Sequence, residues 1–259
     1  MHFFKIHSLG NKIMELIDTH AHLAEIETVD DAVQRAVFLG VKQIVAVGMD
    51  LTSNRKTLAL ARNYPGVVLP AIGYHPWSIR ENEIEPTLAQ VDQYLGQGVA
   101  LGEVGLDYKV KIKKPVQIGV FGRVLDLAAK QDKPVIVHAR YSHERSHRMV
   151  AEAGIAKAVF HWYSGPPDVL DRLLADGYHI SATPALAYSP PHQAAIKRTP
   201  LDRILLETDS PVAYQGKISE PADLLATLHR VSDLKKIPAK EVAAVTNENA
   251  YGFFDVGKA

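Results

Sequence analysis

Two histidines one residue apart, His20 and His22, end the mostly apolar stretch that begins at Leu16-Ile17-Asp18-Thr19. Side chains two apart on a strand share a face, so the two imidazoles project together and form a metal clip. Alone, the H-x-H spacing is a weak signal, because polar rings at a strand end also serve as edge residues. Further donors recur along the chain. His138 and His161 each end a short apolar run, Glu103 lies in Gly102-Glu103-Val104-Gly105-Leu106-Asp107, and Asp209 lies in Glu207-Thr208-Asp209-Ser210-Pro211. Imidazole combined with hard carboxylate oxygen suits Zn, Mn, Mg, Fe or Ni. The chain has no cysteine, which removes thiolate sites and any disulfide framework.

What positions these residues is a repeated alternation. Apolar runs near 16–23, 43–48, 67–72, 99–102, 135–138, 158–161, 178–181 and 203–207 have strand length, and several read as strands buried on both faces. Between them, helical spacing covers 29–39, 51–63, 85–96, 116–131, 143–153, 167–176 and 191–197, with two closing helices at 221–233 and 239–254. No linker divides the series. The expectation is an α/β fold, a single-domain (β/α)8 TIM barrel over residues 14–259, preceded by an extension at 1–13 that has no clear period. Such a barrel gathers the C-terminal ends of its strands at one mouth, which is where the six donors fall.

Other residues at that mouth are read as substrate contacts. His75, in the turn Gly73-Tyr74-His75-Pro76, is placed to touch a leaving or phosphate oxygen, and Arg140 to face substrate oxygens with its fork of donors. Trp77, Trp162 and Tyr163 are candidates to stack a base, with packing the expected role of Trp77. Asp107 is read as a structural turn residue, and His143, His147, His179, His192 and His229 as outside the ligand set.

Charge and composition narrow the classes. Lys and Arg number 29 and Asp and Glu 29, so no global basic field recruits a long duplex. No run reaches the ~18 apolar residues of a membrane span, and Phe3-Phe4 is too short for a signal-peptide core. A cytoplasmic protein with no membrane partner is the expectation; oligomeric state is not readable. The absence of a Gly-rich Lys loop and of a dinucleotide Gly pattern argues against ATP- or NAD-dependent chemistry.

Taken in order, the motifs resemble the TatD family of metal-dependent hydrolases within the amidohydrolase superfamily. The resemblance rests on Ile17-Asp18-Thr19-His20-Ala21-His22, Gly73-Tyr74-His75-Pro76, Gly102-Glu103-Val104-Gly105-Leu106-Asp107-Tyr108, Val137-His138-Ala139-Arg140, His161-Trp162-Tyr163-Ser164-Gly165, Leu206-Glu207-Thr208-Asp209-Ser210-Pro211 and Asn247-Glu248-Asn249-Ala250. It implies two divalent ions: His20, His22 and Asp209 on one, His138 and His161 on the other, and Glu103 bridging. It also implies a phosphodiesterase or deoxyribonuclease acting on single-stranded or frayed DNA ends through a water activated by both ions, with Asp209 handling the proton. The chain departs from the family pattern at Trp162-Tyr163, at Tyr141-Ser142-His143, where an acidic residue is usual, and after Pro211. These departures keep an alternative open, hydrolysis of a small amide, ester or lactone by the same barrel. A non-catalytic metal-binding scaffold is the remaining alternative.

Overall fold

The computed structural model describes residues 14–257; the extension expected at 1–13 lies outside them. The apolar runs pair as eight parallel strands in sequence order: β1 (Leu16–Ala21), β2 (Val41–Val47), β3 (Val68–Tyr74), β4 (Ala100–Asp107), β5 (Val135–Arg140), β6 (Ala158–Phe160), β7 (His179–Ala182) and β8 (Ile204–Leu206). The last strand returns to the first. Thr19 Oγ1 donates to the Leu206 carbonyl at 2.9 Å, a parallel bridge joins Ala21 to Ser210, and the His22 N–H donates to the Ser210 carbonyl at 2.7 Å. The outcome is the expected (β/α)8 barrel.

Helices α1 (Val29–Phe38), α2 (Leu51–Asn63), α3 (Ile84–Tyr94), α4 (Lys114–Lys130), α5 (His143–Glu152), α6 (Pro167–Ala175) and α7 (Pro190–Arg198) fill the connections, and α8 (Leu224–Lys235) and α9 (Ala239–Phe254) complete the ring. Local chemistry sets their starts. Asp50 and Ser53 form a reciprocal capping box at the start of α2, and proline opens α6 and α7, where the missing N–H costs nothing. Between β8 and α8 a hairpin of β9 (Ala213–Tyr214) and β10 (Lys217–Ile218) was not expected. Its turn residues Gln215 and Gly216 both have positive φ, 52° and 85°, a geometry that Asn-Gly announces and Gln-Gly does not.

The core lies in two shells. Helices and outer strand faces share the larger one. Inside the barrel, Ile17, Val45, Val47, Ala71, Ala100, Ile136, Val159 and Leu205 pack together, with Phe253 and Phe254 of α9 packed against them. From this interior layer the site residues follow in steps of two along each strand: Ile136 to His138, Val159 to His161, Leu205 through Glu207 to Asp209, and Ala71 through Gly73 to His75. Two strands break the step. Register shifts between Asp18 and Ala21 in β1, and between Leu101 and Val104 in β4, change which residues face inward and so admit His20, His22 and Glu103 to the same interior.

Candidate metal centre

The seam between β1 and β8 builds the first half of the site. Asp18, fully buried, accepts from the Thr208 N–H at 3.0 Å and the Thr208 hydroxyl at 2.6 Å, which ties the two strand ends together. Burial pushes its carboxyl up to about 8 against those hydrogen bonds. Beyond the tie, the Asp209 N–H donates to the His20 carbonyl at 2.9 Å. Asp209 adopts φ 51°, a left-handed conformation that Asp tolerates better than most side chains. The carboxylate is thereby turned toward the two histidines, with Asp209 Oδ1 3.4 Å from His20 Nε2 and 3.2 Å from His22 Nε2.

Glu103 reaches the centre because the backbones around it approach very closely. A Cβ on Gly73 would lie 2.4 Å from the backbone of Gly48, Gly102 and Glu103, so only glycine fits there. Asn54 holds that glycine on both sides, donating to its carbonyl at 2.9 Å and accepting its N–H at 3.0 Å. The Glu103 carboxylate then divides its oxygens. Oε2 lies 3.2 Å from His20 Nε2 and 3.3 Å from His22 Nε2. Oε1 lies 2.8 Å from His138 Nδ1, 2.8 Å from His161 Nε2 and 3.3 Å from His75 Nε2.

Two further carboxylates stand behind two of these rings, one behind each. Asp107 Oδ2 is 3.2 Å from His138 Nε2 and accepts from Trp77 Nε1 at 2.6 Å, while its Oδ1 accepts the Lys109 N–H at 2.8 Å. Glu207 Oε1 is 3.3 Å from His161 Nδ1. Neither place is apparent from the sequence. Asp107, read as a structural turn residue, fixes the far side of a histidine whose near side faces Glu103. The step of two from Leu205 was the available signal for Glu207, since it shares the inner face with Asp209.

The other sequence-read residues separate. His75 is buried at 2 % exposure among the donors themselves, and Arg140 stands at the rim, its Nη1 4.0 Å from Asp107 Oδ2. Tyr163 is not available to stack a base: it is buried and its hydroxyl donates to the Pro166 carbonyl at 2.7 Å. Trp77 is half exposed, with its indole N–H committed to Asp107, and Trp162 rests against Tyr214. His192 is a core histidine, its Nδ1 2.8 Å from the Tyr163 carbonyl.

Electrostatics distinguish the members. Burial opposes charge on every group, but the Asp209 and Glu103 carboxylates outweigh it at His22, raised to about 10, and Glu103 and Glu207 likewise hold His161 well above its ordinary value. At His75 burial wins and the ring is pushed down to about 4. Glu103 is held well below the carboxylate range, because the surrounding histidines overcome its burial. Ring nitrogens face each other at 3.3 Å between His20 and His22, and at 3.4 Å between His138 and His161. Asp209 Oδ1 is buried facing the His20 and His22 ring nitrogens.

Nitrogens converging on one another and on shared oxygens fit divalent cations well, since lone pairs from several directions share one positive centre. Donors fall within 4.8 Å of each other in the sets His20, His22, Asp209 and His75, Glu103, His138, and again in His20, His161, Glu207. Buried imidazole and carboxylate without thiolate is a borderline-to-hard set, which suits Zn, Mn, Mg, Fe or Ni.

Comparison with known proteins agrees in kind. A family profile described as TatD related DNase matches residues 17–255. Human deoxyribonuclease TATDN3 is 30% identical over 258 residues, 92% of this chain and 94% of that protein. The uncharacterized metal-dependent hydrolase YabD of Bacillus subtilis is 30% identical over 256 residues, 93% of this chain and 99% of that protein. The crystal structure of YjjV, a TatD homolog from Escherichia coli, superposes with TM-score 0.85 at 28% identity over 95% of this chain and 100% of that one. A profile spanning the whole barrel, and relatives alike along almost their full length, leave one assignment: the chain is a hydrolase belonging to the TatD related DNase family.

Proposed function

We propose that this chain is a divalent-metal-dependent phosphodiesterase that cleaves DNA at single-stranded or frayed ends, using two ions. The observation that carries the two-ion reading is the divided Glu103 carboxylate, with Oε2 turned to His20 and His22 and Oε1 turned to His138 and His161. His20, His22 and Asp209 would hold one ion, His138 and His161 the other, with Glu103 shared and His75 beside it. Two such ions supply Lewis acidity toward a phosphoryl oxygen and make water acidic enough to attack near neutral pH.

Asp209 handles the proton. The surrounding histidines, His22 and His20 foremost, overcome the effect of burial and keep its carboxyl below the usual range, so it is ionised at neutral pH and able to accept a proton from water. Arg140, half exposed at the rim, offers parallel N–H donors that match the spacing of two phosphate oxygens. The human relative is named a deoxyribonuclease, which favours a DNA substrate over a small ester or lactone.

The test is nucleotide release from short single strands by protein loaded with Mg, Mn or Zn, beside a panel of nitrophenyl phosphodiesters, carboxylic esters and lactones. Release that a chelator abolishes is expected. Turnover of esters or lactones with no cleavage of DNA would replace the DNA reading with the small-molecule one.

A further inference from the structure

Next to the candidate metal centre, at the C-terminal ends of β5 and β6 and reaching Ser189 and Pro191 at the start of α7, lies a separate cavity of about 750 Å3. Its walls include Arg140, Tyr141, Arg145, Arg148 and Gly165, and none of the proposed ion ligands. Arg140 joins the two spaces, because its guanidinium stands 4.0 Å from the Asp107 carboxylate that touches His138.

The charge on this cavity is largely unspent. Its acidic wall residue, Glu144, is engaged by Arg172 at 2.6 Å. Arg148 reaches Glu152 only at 3.9 Å and in solvent, a contact that contributes little. Arg145 Nε is buried with no hydrogen-bond partner. A buried guanidinium N–H without an acceptor is costly, and an incoming anionic oxygen removes that cost.

An aromatic ring adjoins the charge. Tyr141 is 71 % exposed and adopts φ 55°, uncommon for an aromatic residue, which sends the chain out of β5 with the ring in solvent instead of the core. Cationic groove plus exposed ring is the combination that holds single-stranded nucleic acid, backbone on the charges and base on the ring. A neutral ester or lactone has no use for three guanidinium groups.

We propose that this cavity is a backbone subsite for the substrate strand: Arg140, Arg145 and Arg148 hold phosphates adjoining the scissile one, and Tyr141 stacks the neighbouring base. The assignment rests on the DNA-cleaving reading above and extends it to residues outside the metal centre.

The experiment compares wild type, the double variant Arg145→Gln/Arg148→Gln, Tyr141→Ala, and a charge control, Arg62→Ala/Arg230→Ala, on exposed faces of α2 and α8. Thermal melts confirm folding. Affinity for a fluorescein-labelled single-stranded oligothymidylate is read by anisotropy in the metal-loaded Asp209→Asn background, across a salt series. The double variant should weaken binding by roughly tenfold or more and reduce the log–log salt slope by about 1.4, about 0.7 for each lost phosphate contact. Tyr141→Ala should weaken binding with the slope unchanged. In turnover assays the double variant should raise KM for the oligonucleotide at least about tenfold more than KM for a nitrophenyl phosphodiester, which is too small to span both spaces. Binding and slope equal to the charge control would overturn the proposal, as would equal losses on both substrates. If wild type cleaves no DNA, the reaction assignment fails and the anisotropy still decides the subsite: arginine-dependent binding keeps it, and absence of binding removes it.

Discussion

The two oxygens of Glu103 face differently built surroundings. On the Oε2 side, His20, His22 and Asp209 are positioned by backbone, through the β1–β8 seam and the Asp18–Thr208 tie, and the outer nitrogens His20 Nδ1 and His22 Nδ1 have no partner. On the Oε1 side, His138 and His161 are each braced by a second carboxylate, Asp107 and Glu207. Orientation thus comes from the closing of the barrel in one half and from side chains in the other. A carboxylate behind a ligating imidazole fixes its ring and raises its basicity, so the Oε1 half can be weakened by substitutions that touch no proposed ligand. The Oε2 half offers no such handle without opening the seam.

Glu103→Gln should erase the difference by harming both halves. A neutral amide bridges two cations poorly and leaves their repulsion less screened, so metal content should drop on both sides and turnover should fall by more than ~10⁴-fold, the upper end of what a positioned acid or base alone contributes. Elemental analysis with kinetics checks it. Asp209→Asn separates holding an ion from moving a proton: turnover should fall ~10²–10⁴-fold with the metal largely retained. Near-wild-type turnover would remove Asp209 from the proton path.

Asp107→Asn and Glu207→Gln sharpen the comparison. Each should cost roughly 10–100-fold in affinity for one ion and leave the other step of a metal titration unchanged. Equal weakening of both steps would mean the two halves are not independently braced.

A prediction on stability, with no effect expected on metal binding, comes from a histidine with no carboxylate facing it. His192 is fully buried between the Tyr163 carbonyl and the Thr183 N–H, and burial lowers it from 6.5 to about 4. The unfolded chain takes up this proton near 6.5 and the folded chain only near 4, so stability is lost as pH falls through that window. The loss is on the order of 3 kcal/mol at 1.36 kcal/mol per unit. His192→Gln, which does not titrate, should flatten the pH dependence of urea unfolding by that amount. An unchanged slope would show that the folded protein protonates this ring readily.

The barrel was legible because its strands are apolar runs separated by helically spaced segments, and the six donors because each ends such a run. The details hidden from the sequence are those that depend on local register. Shifts in β1 and β4 change which residues face inward, yet nothing in the composition of Leu16–Ala21 or Ala100–Asp107 marks them. His75 read as a substrate contact in a turn because the sequence does not show that the close approach at Gly73 brings Glu103 within 3.3 Å of its ring. Asp107 read as structural because its partner His138 is 31 residues away, a proximity that only the pairing of β4 with β5 creates. Tyr163 read as a base-stacking ring because the sequence places it at the mouth without revealing that it points into the core.

Calorimetric titration of chelator-stripped protein with Mn or Zn counts the ions held by the two oxygens of Glu103. Two ions per chain are expected in wild type, with loss of both high-affinity steps in Glu103→Gln. A single ion per chain, bound equally well by wild type and by Glu103→Gln, would rule out the two-ion assignment.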